Sequence, residues 1–317
     1  MITQAFILGA GLGTRLRPLT DDLPKPLVPV FQKRLITFAL DQLIEAGVES
    51  LHINTHHLPE RFAEVFPDAI YRGRQLNFHH EPVLLETAGG IANIADELSD
   101  RPLLVYNGDI LSDLPVKPLI ETHARDGNLV TLALRSGGGP AHVALDGTRR
   151  RVVDIRDLLG TKARAEFVFT GIYLVSAEFV RRLERGVKRS VIAYFLEAIR
   201  KGDQIGGAVI DEGNWWDVGT AQAYLDLHRN LPALKFPRFV AYERYWRTAI
   251  HATAQVSPEV TIEGCSVIGA HASVGAGAKL RDTIVWPGAQ IASRSDLRNC
   301  IVRSSRAAEG VLCDAVI

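Results

Sequence analysis

Residues 7–27, ILGAGLGTRLRPLTDDLPKPL, bring glycines at 9, 11 and 13, an arginine at 15 and a lysine at 25 into one short stretch. The glycines follow an apolar, strand-like run, so backbone N–H groups at the strand's end can turn toward one point. They also let an anion's oxygens approach the main chain. Arg15 adds a two-pronged donor and Lys25 a compact charge. Pro24 and Pro26 limit where that ammonium can point. The combination suits a polyphosphate. It is not a Walker loop, because no Gly-Lys-Ser/Thr follows, and the dinucleotide fingerprint fails because its third glycine would fall at Thr14. A glycine-rich turn with a purely structural role is the alternative.

Two carboxylates stand further along. Asp109 ends the apolar run LLVYNGD, with Gly108 leaving space beside it, and Asp217 follows two tryptophans in NWWDVGT. Two such groups reaching one point from separate segments, together with phosphate oxygens, would make a hard-oxygen site suited to Mg²⁺. An aspartate after a strand, taken alone, is more often a turn or helix cap.

The segments that must carry these residues alternate. Gln4–Leu8, Ser50–Asn54, Leu76–His80, Leu103–Tyr106 and Leu129–Leu134 are short, apolar and rich in strand formers. Between them Leu35–Gly47, Leu58–Phe66, Gly89–Leu98 and Val116–Gly127 carry apolar residues at helical spacing. This is the α/β pattern of a Rossmann-like, mostly parallel sheet with helices on both faces, whose ligands bind beyond the carboxyl ends of the strands. A β-rich run from Phe167, helices near Glu178–Arg185 and Val191–Lys201, a strand at Ile205–Ile210 and a helix from Ala221 to Leu231 continue it. Residues 1–231 are therefore read as an α/β domain, 232–249 as a packed connecting segment and 250–317 as a third region.

That third region is a repeat. Ile250, Val256, Ile262, Ile268, Val274, Leu280 and Trp286 fall at steps of six, the hexapeptide signature of a short left-handed parallel β-helix. The register slips by one near WPGAQI and resumes at Ile291 and Leu297. About three to four coils fit, and an uncovered coil end exposes backbone and apolar groups, which predicts a homo-oligomer.

The chain holds 317 residues, 47% of them hydrophobic, and its 36 basic residues balance 36 acidic ones. No summed field points to nucleic acid or an anionic membrane, so an anion site must be local. No run approaches a membrane span and the first residues lack a signal peptide, which predicts a cytoplasmic protein. Cys265, Cys300 and Cys313 show no metal-ligand spacing and read as reduced, buried small residues.

The residues from Gly9 to Val30, GAGLGTRLRPLT…PKPLVPV, resemble the signature of the sugar-1-phosphate nucleotidyltransferases, or nucleotide-sugar pyrophosphorylases, usually written Ala-Ala-Gly where this chain has Gly9-Ala10-Gly11. Further marks recur in order: EPVLLETAGGI from Glu81, VYNGDI from Val105, FTGIYLV from Phe169 and WWDVGT from Trp215. The resemblance spans the first 231 residues, and hexapeptide tails are common in the family. It implies in-line attack by a sugar 1-phosphate on the α-phosphate of a nucleoside triphosphate, giving an NDP-sugar and pyrophosphate with Mg²⁺. Positioning and charge neutralisation would supply most of the catalysis, and no general base is needed.

The same resemblance assigns residues. Leu8, Gly9, Ala10, Gly11, Gly13, Thr14 and Arg15 would bind the nucleotide, Arg15 would hold the departing pyrophosphate, and Lys25 would bridge the reacting phosphates. Asp109 and Asp217 would hold the metal, so Arg15, Lys25 and Asp109 are the catalytic set. Glu81, an acceptor-only group, suits the ring N–H of uracil or the N1–H and N2–H₂ edge of guanine. Thr87, Ala88, Gly89 and Gly108 would complete the nucleotide site, with Thr87 doubling as a helix N-cap. Asn107, Thr170 and Gly171 would line the sugar pocket. Many relatives carry a Glu-Lys pair before the TGIY-like strand; here only Glu166 and Lys162 are on offer, which leaves the sugar open.

LLETAGGI is similar to the loop of N-acetylmuramate-1-phosphate uridylyltransferases, whereas the tail and Glu81 are equally similar to mannose-1-phosphate guanylyltransferases. UTP with an N-acetylhexosamine-type or N-acetylmuramate 1-phosphate is the preferred pair and GTP with mannose 1-phosphate the alternative. Two other classes compete: a hexapeptide acyltransferase using His251 or His271, and a non-catalytic nucleotide-sugar-binding regulatory subunit, which predicts a damaged cation or metal set.

Overall fold

The computed structural model describes residues 2–243 and 245–317; Arg244, inside the predicted connecting segment, lies outside the described residues. The chain divides into two compact units. One comprises the residues up to Leu12 together with Phe38–Trp216, the other Gly13–Thr37 together with Asp217–Ile317.

The first unit is built on eight strands: β1 (Gln4–Leu8), β2 (Ser50–Thr55), β3 (Ile70–Tyr71), β4 (Arg74–His80), β5 (Leu103–Asn107), β6 (Val130–Arg135), β7 (Val168–Val175) and β8 (Ile205–Val209). They lie in the order β8-β6-β7-β5-β1-β2-β4-β3. The pairs β1–β2, β1–β5, β2–β4 and β6–β8 are parallel, as βαβ alternation requires. β7 is inserted antiparallel to both β5 and β6, and β3 is a hairpin partner of β4, so the sheet is mixed. Helices α1 (Leu35–Glu45), α2 (Glu60–Val65), α3 (Glu86–Asn93), α4 (Lys117–Asp126), α5 (Ala177–Arg181) and α6 (Val191–Arg200) join the strands. The helix predicted over Gly89–Leu98 starts earlier, at Glu86, and ends in a tighter turn over Ala95–Glu97. Ser176 and Ser190 cap α5 and α6 by accepting from Phe179 N and Ile192 N. The core gathers Phe6, Ile91, Val105, Leu132, Tyr173 and Phe195, all but fully buried.

In the second unit α7 (Ala221–Asn230) is capped by Thr220 and precedes the coils. Three parallel sheets of four, four and three short strands run through residues 255–313, in keeping with a short left-handed parallel β-helix. Ile268, Val274, Leu280, Ile291 and Leu297 fill its interior. The register slip comes earlier than the sequence suggested: Ile268 pairs with Val285, not Trp286. Val285 therefore takes the interior rung, and Trp286 packs edge-on against Tyr224 with ring centroids 6.3 Å apart, donating its Nε1–H to Tyr224 Oη at 2.9 Å. Of the cysteines predicted to be buried, Cys300 is, Cys265 is half-buried and Cys313 is exposed, because the last lies on a strand face that points away from the coil interior.

The connecting stretch is packed. Trp246 is buried, Phe236 meets it edge-on at 5.5 Å, and the Arg247 guanidinium lies 5.5 Å from each ring. Arg247 also donates to the carbonyls of Leu231, Pro232 and Leu234, which ties the segment back to the end of α7.

Candidate active site

In the second unit, the segment after Gly13 folds into a single tight turn over Thr14–Leu16, anchored by Leu16 at 0% exposure, which leaves Arg15 on the outside. Gly13 opens this turn at φ +61, and a Cβ there would stand 2.8 Å from Thr20 Cγ2, so glycine is required on both counts. Lys25 starts a second tight turn, with Pro24 before it and Pro26 within it, and is buried. Its ammonium points at Asp217, with Nζ 3.8 Å from Oδ1. Asp217 itself is exposed, so its remaining lone pairs face solvent.

Gly219 brings the third charge in. A Cβ on it would stand 3.3 Å from Arg15 Nη1 and 3.3 Å from Asp217 Oδ1. Arg15 and Asp217 thus meet over one buried glycine, and Lys25 reaches the same Asp217 oxygen, so two cations stand near one carboxylate. The sequence reading noted WWDVGT but passed over Gly219; the signal was the Asp-x-Gly spacing, since only a missing side chain lets two charged groups share that space.

The first unit arranges its residues differently from expectation. The N–H groups of Gly9 and Ala10 do not stand free for phosphate: both donate to Asn54 Oδ1, at 2.7 and 3.3 Å. Asn54 Nδ2 donates to Glu81 Oε1 at 2.7 Å, and Glu81 Oε2 accepts from Leu85 N at 3.0 Å. Glu81 is 1% exposed, so its carboxylate braces the opening loop and the turn before α3 and does not present an edge to a base. Asn54, at the end of β2, was missed because an asparagine closing a strand carries no sequence mark. Gly11, by contrast, is exposed, with no atom within 4 Å of where a Cβ would stand. Leu8 is half-buried at the end of β1.

Thr87 is not the N-cap of α3. It lies inside the helix, and its Oγ1 accepts from Val191 N at 2.7 Å. Ala88 and Gly89 are buried against residues 187–189, with Ala88 N donating to Arg189 O at 3.0 Å. The accessible part of this motif is its start, where Val83 is 68% exposed.

Asp109 follows β5 in the turn before Ile110–Ser112 and is half-buried. Gly108 does not leave space: its N–H donates to Leu8 O at 3.0 Å, and a Cβ would meet that carbonyl at 2.7 Å. The next carboxylate, Asp113, ties this turn to residues 213–214 by accepting from Asn214 N and from Asn214 Nδ2 at 3.0 Å; burial pushes its pKa up. Asn107 and Gly171 do meet, across β5 and β7, the asparagine side chain filling the space a Cβ would take. Thr170 is buried and its hydroxyl donates to Ala133 O at 2.9 Å, while its carbonyl accepts from Trp215 Nε1 at 2.8 Å. The hydroxyl is thus committed to the strand irregularity at this point. Glu166 sits on the surface among arginines, 3.4 Å from Arg149 and 3.9 Å from Arg164.

Among the described residues, one group of three His, Cys, Asp or Glu side chains has metal-ligand proximity, and it involves neither Asp109 nor Asp217. It is His52, His79 and Glu97. His52 Nδ1 and His79 Nε2 are hydrogen-bonded at 2.9 Å, His79 Nδ1 lies 3.4 Å from Glu97 Oε1, and burial draws the His52 pKa down to about 4. His251 is half-buried and bonded to Thr253 Oγ1 at 2.9 Å, and His271 is exposed in a turn. No described helix is long and apolar enough to cross a membrane.

A profile of the nucleotidyl transferase family matches residues 4–233. The chain is 30% identical over 297 residues to a mannose-1-phosphate guanylyltransferase of Mycobacterium tuberculosis, covering 91% of this chain and 81% of that protein. It is 32% identical over 218 residues to the N-acetylmuramate α-1-phosphate uridylyltransferase of Neisseria meningitidis, covering 68% of this chain and 93% of that one. Among solved structures, HddC of Yersinia pseudotuberculosis in complex with GMP-PN superposes with a TM-score of 0.59 at 20% identity, over 71% of this chain and 97% of that one. With the signature motifs in order and the profile spanning most of its length, the chain belongs to the nucleotidyl transferase family, as an enzyme of the sugar-1-phosphate nucleotidyltransferase class.

Proposed function

We propose that the chain joins a sugar 1-phosphate to the nucleotidyl group of GTP, with mannose 1-phosphate as the first sugar to try. The observation that supports the chemistry is that Asp217 lies beside both Lys25 and, over Gly219, Arg15. An oxygen of the sugar phosphate bonds to the α-phosphorus as the bond from that phosphorus to the bridging oxygen breaks, and pyrophosphate leaves with the electron pair. The attacking phosphate is already ionised, so the residues' task is to hold two anions in line and neutralise charge. Arg15 takes the departing pyrophosphate, and Lys25, held in direction by Asp217, lies between the reacting phosphates.

Asp217 and Asp109 are each hard-oxygen donors of the kind that would hold Mg²⁺, which when bound would supply charge neutralisation on the phosphate oxygens. Among the described residues neither belongs to a group of three side chains in metal-ligand proximity, so the remaining ligands would come from substrate and water. Gly11, with open space around it, gives the nucleotide a place to approach the main chain. The start of the Glu81–Ile91 motif faces the base.

GTP is placed first because the guanylyltransferase match runs through the coils, over 91% of the chain. UTP with an N-acetylmuramate-type 1-phosphate is the second reading, favoured by the higher identity of the uridylyltransferase match and by the LETAGG wording. Pyrophosphate release from each triphosphate paired with each sugar 1-phosphate decides: turnover with UTP alone moves the assignment to the second reading, and silence with every pair refutes the enzymatic one. Self-association through the coils belongs to the same proposal, and sedimentation as a monomer at micromolar concentration would contradict it.

A further inference from the structure

The segment that carries Arg15 and Lys25 is held from the far end of the sequence. Arg303, between the strands Ile301–Val302 and Ala307–Ala308, is 11% exposed. Its Nη1 donates to Pro18 O at 2.8 Å and to Asp22 Oδ2 at 2.7 Å, and its Nε donates to Ile317 O at 3.1 Å. Arg306 Nη2 donates to the same Asp22 oxygen at 3.0 Å. Two guanidinium groups thus close on one carboxylate and one carbonyl in the stretch between Arg15 and Lys25.

The loop they grip also has its own turns, Leu16 N to Gly13 O, Leu19 N to Leu16 O and Asp21 N to Pro18 O, and the buried side chains of Leu16 and Leu19. Beyond Lys25 the same unit takes hold again. Pro29 O accepts from Tyr224 Oη, Phe31 N donates to His228 Nε2 at 3.1 Å, and Gln32 Nε2 donates to the carbonyls of Thr248 and Ile268 at 2.9 and 3.2 Å. The two cations are therefore strung between anchors on α7 and the coils.

We propose that Arg303 and Arg306 are positioning residues that fix the Arg15–Lys25 loop for the triphosphate, which gives the coils a catalytic task apart from assembly. This rests on the proposed roles of Arg15 and Lys25. A glycine-containing loop that presents two cations loses conformational freedom when it closes on a polyphosphate. Charge-assisted, forked hydrogen bonds already in place lower that cost.

The test uses the full-length chain with Arg303→Ala, Asp22→Ala and the double variant, and reads steady-state kinetics and amide hydrogen exchange. Each single variant lowers kcat/KM for the triphosphate by about tenfold and leaves KM for the sugar 1-phosphate within about twofold, and the double variant loses less than the product of the two single losses, because the Arg303–Asp22 contact is shared while Arg303 also holds Pro18 O and Asp22 is also held by Arg306. Exchange speeds up at Leu16, Leu19 and Asp21 while the coil amides of Ser273 and Gly275 stay protected. Arg303→Lys, which keeps charge but loses the fork, recovers part of the loss. Additive effects, or Asp22→Ala with unchanged kinetics and loop exchange, overturn the proposal. Asp22 is exposed, so it reads the same contact should Arg303→Ala fail to fold. If the unaltered protein turns over no substrate pair, the catalytic reading fails separately, and faster loop exchange in Asp22→Ala still shows the clamp.

Discussion

Gly219→Ala isolates the charged cluster from the fold. The new Cβ would stand 3.3 Å from both Arg15 Nη1 and Asp217 Oδ1. Comfortable contacts lie nearer 3.5–4.0 Å, so each group retreats by roughly a few tenths of an ångström. Both are ends of exposed side chains and Gly219 is not in the left-handed region, so the fold gives way easily. The reduced freedom of the unfolded chain offsets part of the strain, by about 0.4–1 kcal/mol. Melting should stay within a few degrees of the parent. Catalysis is less tolerant: a displacement of about 1 Å can cost on the order of 10²-fold, so a few tenths should cost about five- to tenfold, or roughly 1 kcal/mol of transition-state stabilisation. Pyrophosphate release at saturating sugar 1-phosphate, beside thermal unfolding, separates the two effects. Gly147→Ala, exposed and with no atom near its added Cβ, is the control and should change neither. Parental kcat/KM in Gly219→Ala would mean that Arg15 and Asp217 do not act at the reacting phosphates.

Lys25→Ala and Asp109→Asn should each lower turnover by on the order of 10²-fold with melting little changed, and near-parental rates would relocate the chemistry. Gly11→Ala should raise KM for the triphosphate and leave stability alone, whereas Gly13→Ala should lower the melting temperature, because only Gly13 combines positive φ with a close neighbour; the reverse pattern would refute the division between ligand space and turn geometry. Burial draws His228, His52 and His123 down to about 4 in the folded chain. The unfolded chain binds more protons between about pH 6.5 and 4, so stability is full above that window and falls with pH through it, by up to about 1.4 kcal/mol per unit for His228 alone. Urea midpoints at pH 7.5, 6 and 5 check this, and a flat series would refute it.

The periodicities carried the architecture: strand and helix alternation placed the sheet, and six-residue steps placed the coils. The antiparallel insertion of β7 was hidden because an apolar strand buried on both faces reads the same in either direction. The chemistry was read from charge and spacing at Arg15, Lys25 and Asp217, which the structure brings near one another. It was misread at Glu81, Thr87 and Thr170, because composition says which groups can bind a ligand and not which are already occupied by Asn54, Val191 and Ala133. Asn54, Gly219 and Arg303 act through what they hold or leave empty, and a single sequence has no mark for that.

The grip of Arg303 and Arg306 on Pro18 and Asp22 spans 281–285 residues of chain. At ribosomal rates of roughly 5–20 residues per second, the loop waits about 15–60 s after its synthesis for these partners to exist. The loop is thus made well before the partners that complete its anchoring. A nascent chain not yet extended to Arg303 carries the 7–27 peptide with its Pro18 and Asp22 anchor points unfilled, which couples the full anchoring of this loop to the synthesis of the coil that holds Arg303 and Arg306.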